Sequence, residues 1–367
     1  MQFENVCIES LGHTLPESIV TSDEIENRLS PLYERLKLPT GRLQLMTGIA
    51  ERRFWPSGTL ISDISVSSCQ SALQAADISP EQIGLLIHGS VCRDHLEPAT
   101  ACRVHHLLGL PADCMIYDVS NACLGVMNGM LQAANMIELG HIQAALVVGS
   151  ESGRGLVEGT IQALNQDMNL TRKTIKQSIA SLTIGSASCA VLLTHASLSQ
   201  NKNRLTVATA TANTRYHDLC QSLSDQAGGS MQPLMDTDSE TLMLQGIETG
   251  RTTFARFLEI SGWERDDISH TFCHQVGGTH RKLMLESVGM PEANDFSTFP
   301  FLGNTGSAAL PITLAHAIEA ERIEAGQKTA LLGIGSGINC INMGVTWETS
   351  RSAGRQRDYF ETAPDNT

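Results

Sequence analysis

A chain of 367 residues with 41% hydrophobic residues, 17% charged residues and 31 glycines can bury one large core or two fused ones. That make-up is globular α/β and excludes disordered and fibrous classes. A formal charge of -14 excludes broad binding to nucleic acid or to anionic membranes, which demand a basic surface, and an acidic protein partner would need a local basic patch.

The N-terminus, MQFENVCIESLGHTLPES, has no basic stretch followed by an apolar one, and no run of about 18 apolar residues occurs anywhere. The expected location is cytoplasmic. The ten cysteines stand singly without a CxxC pair, so reduced, mostly buried thiols are expected rather than a disulfide framework.

In chain order, ISPEQIGLLIHGS (78–90) reads as a polar turn entering a short buried strand. YDVSNACLGVMNGM (117–130) is a strand end followed by a helix opened by small residues, with Cys123 at the junction. GHIQAALVVGSES (140–152) is a second buried strand, and 153–182 reads as a partly helical inserted cap. THASLSQNKNR (194–204) is polar and turn-rich, and marks the boundary between a first half, 1–199, and a second, 200–349. A segment rich in Ser, Asp and Gly (213–240) is a second insertion that shapes a pocket.

The second half repeats the first. WERDDISHTFCHQ (263–275) follows ISPEQIGLLIHGS, and GQKTALLGIGSGI (326–338) follows GHIQAALVVGSES, both at an offset of about 185 residues. Between them, GNTGSAALPITLAHAIEAERIEAG (303–326) is the helix equivalent to the one after Cys123. Strands alternating with helices imply βαβ units, hence a duplicated α/β fold with each half a sheet covered by helices. The tail, 350–367, is polar and expected to fray.

Cys123 at a helix start faces free N–H groups and the positive end of the dipole, which favours thiolate and capture of an acyl group from a thioester. Read singly, it is more often a buried structural cysteine, and the repeat is what favours the catalytic reading. His274, just after the strand SHTFC, and Asn304, in the turn FLGNTGSAALP, sit at strand ends of the second half. A duplicated fold brings such ends to the same junction, where a neutral His and an Asn amide can donate two hydrogen bonds to a thioester oxygen. Singly, they read as a core histidine and a turn asparagine. GIGSGIN (333–339) lacks the helix a phosphate loop needs. It reads as a tight turn, either without direct role or carrying the Ser336 N–H toward Cys123 to form an oxyanion hole with the Cys123 N–H. The adjacent His105 and His106 cannot ligate from one face, and no metal and no cofactor are expected.

At Cys123, His274, Asn304 and GIGSGIN the chain resembles ketoacyl-ACP synthase III and its relatives in the thiolase superfamily, over nearly its whole length. The resemblance implies a thiolase fold, a layered α-β-α-β-α architecture, working as a homodimer. It also implies that Cys123 is acylated while His274 and Asn304 bind the thioester oxygen of the second substrate.

A closer resemblance is to the long-chain olefin-biosynthesis thiolases, carried by LLIHGSVCRDHLEPATA, DVSNACLGVMNGM, ALVVGSES, ASLTIGSASCAVLL and ALLGIGSGINC. Those enzymes condense two fatty acyl-CoAs head to head and have a glutamate where Glu97 stands in HLEPATA, in a loop that reaches across the dimer. A malonyl donor makes its carbanion by losing CO2, whereas a plain acyl-CoA must lose an α-proton. A carboxylate in an apolar site can take that proton. SLTIGSASC and HQVGG depart from the synthase III pattern and leave the use of acyl carrier protein open. Two alternatives stand beside the head-to-head condensation: a synthase III using malonyl-ACP, and a catalytically silent thiolase-fold partner subunit.

Overall fold

Short apolar runs bounded by glycines form the strands of one large mixed sheet in the computed structural model, which describes residues 1–222, 235–349 and 352–354. The strands are β1 (Val6–Thr14), β2 (Leu85–His88), β3 (Met115–Asp118), β4 (Ala144–Glu151), β5 (Ala187–His195), β6 (Arg204–Ala212), β7 (Ile268–Cys273), β8 (Lys328–Gly335), β9 (Asn339–Thr346) and β10 (Ser352–Gly354). Their order is β7-β8-β9-β6-β1-β5-β4-β2-β3. The two matched sequence segments fall on β2 and β7 and on β4 and β8, which hold mirrored places about the junction of β1 with β6. That junction is a single pairing, Cys7 with Arg204. Farther along β1, β10 takes the place of β6, running parallel to Leu11–His13. The rest of the tail expected to fray lies outside the described residues.

Helices make the layers. One outer face of the first half carries α1 (Ile61–Ala76) and α2 (Thr100–Leu108), whose Cys69, Ala72 and Val104 pack on Leu86, Leu146 and Leu192. The corresponding face of the second half carries α5 (Ser239–Ser261) and α6 (Gly278–Val288), with Phe254, Phe257 and Leu285 against Ala330 and Leu332. Between the sheet halves lie α3 (Gly125–Glu138) and α7 (Ala309–Glu319), and this middle layer is the largest apolar cluster. Buried on every side, α7 has ten consecutive buried residues, Ala309 to Ile318, the pattern of a helix apolar all round. Pro311 sits in its first turn, where no amide donor is needed. The arrangement is the layered α-β-α-β-α expected.

The inserted segment folds as α4 (Arg154–Gln166), a 3-10 turn Thr174–Ser178 and a short helix Ile179–Leu182. It covers Ile25 and Leu32 of the N-terminal helices Ser22–Arg28 and Ser30–Leu36, and Leu29 between them. Of the second insertion, Cys220–Ser222 and Met235–Thr237 pair as a small antiparallel ribbon, and 223–234 lie outside the described residues.

Two glycines decide where α3 begins. A Cβ on Gly125 would stand 2.4 Å from the Gly89 carbonyl oxygen, and one on Gly89 would stand 2.6 Å from the Gly125 carbonyl carbon. The end of β2 therefore touches the first turn of α3 backbone to backbone, two residues beyond Cys123. Gly125→Ala is expected to cost about 1–3 kcal/mol by overpacking. Gly155→Ala, in a helix with nothing within 4 Å of the new Cβ, is expected to gain about 0.5–1 kcal/mol. Equal unfolding midpoints in denaturant for the two variants would contradict this account.

Candidate active site

The chain leaves β3 at Asp118 and turns back before α3. In that turn Ala122 has φ +47°, and Asn121 donates through Nδ2 to Asn128 Oδ1 at 2.8 Å, which ties the loop to the helix it precedes. Cys123 is half-buried. Protein packed around its sulfur, then the charge of Glu151 and the thiol of Cys220, push its pKa up to about 12. The helix end alone predicts the opposite direction. Tertiary packing desolvates the sulfur and sets a carboxylate near it, and both disfavour thiolate. Both effects favour the protonated thiol of Cys123 at rest.

The GIGSG turn comes to this loop. A Cβ on Gly335 would lie 3.5 Å from the Cys123 amide nitrogen and 3.2 Å from Leu124 Cγ, so the turn packs directly against the Cys123 loop. Asn339 Nδ2 bridges the two turns, donating to the Ser336 carbonyl at 3.4 Å and to Asn121 Oδ1 at 3.3 Å. Ser336 is thereby pinned beside the Cys123 loop.

His274 follows β7, and its amide donates to the Leu332 carbonyl of β8 at 3.0 Å. Its ring is buried, 4% exposed. Burial first, and the neighbouring His280 second, bring its pKa down to about 3, so the imidazole is neutral at working pH and can donate one N–H. The next residue fastens this loop to the approach to Asn304. Gln275 Nε2 donates to the Phe296 carbonyl at 2.6 Å, and its Oε1 accepts from Thr298 and Phe299 amides at 2.8 and 3.1 Å.

Asn304 is held by its backbone to the stretch SLTIGS: its amide donates to Thr183 at 2.9 Å and its carbonyl accepts from Gly185 at 2.8 Å. Gly303 (φ +67°) makes this fit, since a Cβ there would stand 2.6 Å from the Thr183 oxygen. Asn304 Oδ1 accepts from the Gly306 amide at 3.0 Å, which leaves Nδ2 to donate elsewhere. Among the described residues none of Cys123, His274 and Asn304 hydrogen-bonds another. Their loops share neighbours instead: β8 carries both the turn at Cys123 and the acceptor of the His274 amide, and Glu151 joins the surroundings of Cys123 to the turn after Asn304.

Glu97 lies in the loop between β2 and α2, exposed, with Val91 (51%) and Leu96 (60%) exposed in the same loop. The loop ends are fixed. Asp94 accepts from the Ile61 amide at the start of α1, and Asp118 accepts from the Thr100 and Ala101 amides at the start of α2. Within one chain the Glu97 side chain is exposed to solvent, and among the described residues no hydrogen bond links it to Cys123.

Sequence reading missed Glu151 and Gln275, although both stand in the quoted stretches ALVVGSES and HQVGG. It also missed the convergence of His13, His316 and Glu319, whose potential ligand atoms lie within 4.8 Å of one another. Nothing local signals a cluster drawn from β1 and α7. No helix among the described residues is long and apolar enough to cross a membrane.

Residues 45–188 match the family described as thiolase, N-terminal domain, and residues 258–347 match 3-oxoacyl-[acyl-carrier-protein] synthase III C terminal. The chain is 40% identical to the acyl-CoA:acyl-CoA alkyltransferase of Shewanella oneidensis, over 95% of this chain and 100% of that protein. It is 36% identical to the protein of the same name from Xanthomonas campestris pv. campestris, over 95% and 100%. The crystal structure of cerulenin-bound Xanthomonas campestris OleA superposes with a TM-score of 0.89 at 36% identity, covering 95% of this chain and 98% of that one. With fold, loop geometry and nearly full-length similarity in agreement, the chain belongs to the thiolase superfamily, as an acyltransferase of the acyl-CoA:acyl-CoA alkyltransferase family.

Proposed function

We propose that the chain condenses two fatty acyl-CoAs head to head by a non-decarboxylative Claisen reaction, with Cys123 as nucleophile and Glu97 of a second copy as base. The observation that carries the reading is Cys123 at the head of the buried helix α3, beneath the GIGSG turn, in a chain 40% identical to an acyl-CoA:acyl-CoA alkyltransferase.

In the first half-reaction the Cys123 sulfur attacks the thioester carbonyl of one acyl-CoA. The carbon–sulfur bond to CoA breaks, the thiol proton leaves with CoA, and acyl-Cys123 forms. The amides of Cys123 and Ser336 hold the oxyanion. In the second, His274 and Asn304 Nδ2 donate to the thioester oxygen of another acyl-CoA while a carboxylate removes its α-proton. The carbanion attacks the acyl-Cys123 carbonyl, the carbon–carbon bond forms, and the Cys123 thiolate departs and takes up a proton. The product is a 2-alkyl-3-ketoacyl-CoA, whose hydrolysis releases the second CoA. No step calls for a metal or cofactor beyond the CoA thioesters.

Glu97 is exposed in a loop that also exposes apolar Val91 and Leu96, which supports a homodimer that buries this loop against the partner's site. A desolvated carboxylate is the stronger base. The proposed location is the cytoplasm.

One observation favours a second reading. Arg42, Arg172 and Lys176 rim an apolar groove floored by Leu29, Leu43 and Leu182, the local basic patch an acidic carrier protein requires. Both readings meet the same test: purified protein with a long-chain acyl-CoA alone, followed for CoA release and lipid products. Release with formation of a ketoacid or its decarboxylated ketone supports the head-to-head reaction. Turnover only after addition of malonyl-ACP would replace it with a ketoacyl synthase.

A further inference from the structure

We propose that Glu151 is the positioning residue of the condensation step, locking the Glu97 loop and the Asn304 turn against each other. The inference rests on the condensation reading above and adds to it a residue that does not touch substrate.

Glu151 is the last residue of β4 and is buried, 5% exposed. Its Oε1 accepts from the Val91 amide at 3.0 Å, the Ser307 amide at 3.3 Å and the Ser307 hydroxyl at 2.5 Å. Its Oε2 accepts from the Cys92 amide at 3.2 Å. Val91 and Cys92 open the loop that carries Glu97, and Ser307 closes the turn that carries Asn304. The backbone of that turn lies directly on the side chain: Gly306 has φ +57°, and a Cβ there would stand 3.2 Å from Glu151 Cγ.

Among the described residues no cation pairs with this carboxylate. Four donors from two separate loops hold the buried charge instead, so both loops must keep their places for it to be satisfied. With its lone pairs committed, Glu151 is unsuited to abstract a proton. Its charge also reaches Cys123. One side chain therefore couples the base loop, the oxygen-binding turn and the nucleophile across the two halves of the fold.

Glu151→Gln keeps the volume but removes the charge and sets an NH2 group against N–H donors: with its oxygen kept toward Val91 and Ser307 it loses the Cys92 contact and weakens the other three, and turned the other way it loses those three. Acyl-Cys123 is expected to form in this variant as in wild type, by intact mass after addition of acyl-CoA. The kcat for condensed product should fall roughly 100-fold with KM little changed, the scale of a misplaced reacting group. Alkylation of Cys123 by iodoacetamide gives a readout that a purely structural role would not move. Removing a negative charge beside a thiol lowers its pKa, so the rate–pH profile should shift to lower pH. Ser307→Ala, which keeps the charge and loses the shortest contact, should lower kcat less and leave that profile in place.

A folded Glu151→Gln enzyme that condenses at the wild-type rate, or that loses acylation and condensation equally, overturns the inference. Should Glu151→Gln fail to fold by circular dichroism, Ser307→Ala decides alone, and wild-type kcat in it overturns the inference. The wild-type control separates the two levels: no condensed product from wild type sinks the functional reading, whereas product from wild type and both variants sinks only the role of Glu151.

Discussion

Cys123→Ala is expected to release no CoA from a long-chain acyl-CoA and to gain no acyl mass, with turnover down on the order of 10^4-fold or more, the scale seen when a covalent nucleophile is removed. The structure makes the expectation specific to this cysteine. Of the ten cysteines, Cys7, Cys69, Cys114, Cys189, Cys273 and Cys340 are buried, and burial pushes the thiol pKa up in each of them. Cys123 is also raised, but it alone stands at the start of the central helix with the Gly335 backbone against its amide. Substitution of half-buried Cys220, whose thiol neighbours it, should leave acylation intact. If Cys123→Ala still accumulates acyl-enzyme, the nucleophile is elsewhere and the assignment fails.

Glu97→Ala is expected to acylate Cys123 and stop there, with condensation down roughly 10^2- to 10^4-fold, the range for loss of a general base. Which subunit supplies the carboxylate can be read by complementation. Neither Glu97→Ala nor Cys123→Ala is active alone. In an equimolar mixture of exchanging subunits half of the dimers are mixed. If Glu97 crosses the twofold interface, each mixed dimer has one complete site and activity returns to about a quarter of wild type. If Glu97 serves its own chain, no mixed dimer has a complete site and nothing returns. An unaffected Glu97→Ala enzyme would remove the base from the mechanism and favour a decarboxylating donor.

Much of this molecule is legible in the chain. Runs such as AALVVG and ALLGIG, short and bounded by glycines and polar residues, read as strands buried on both faces, and their recurrence at one offset announces the duplicated fold. The residues quoted for the chemistry also sit where strands end, because small residues are needed where backbones meet, as at Gly125 against Gly89. Other features left no trace. The SLTIGS stretch stood out only as a departure from a pattern, yet its backbone is what holds Asn304 in place.

By itself the sequence showed the duplication, because periodicity is a property of neighbours along the chain, while the layered fold and the candidate roles of Cys123, His274, Asn304 and Glu97 came from its resemblance to the thiolases. Tertiary structure alone decided the ionisation of the site and the residue that clasps it. The Cys123 thiol rises rather than falls, since desolvation and a carboxylate brought in by folding outweigh the helix end. Glu151 earns its place through donors 60 and 156 residues away, a separation that only the packed fold closes.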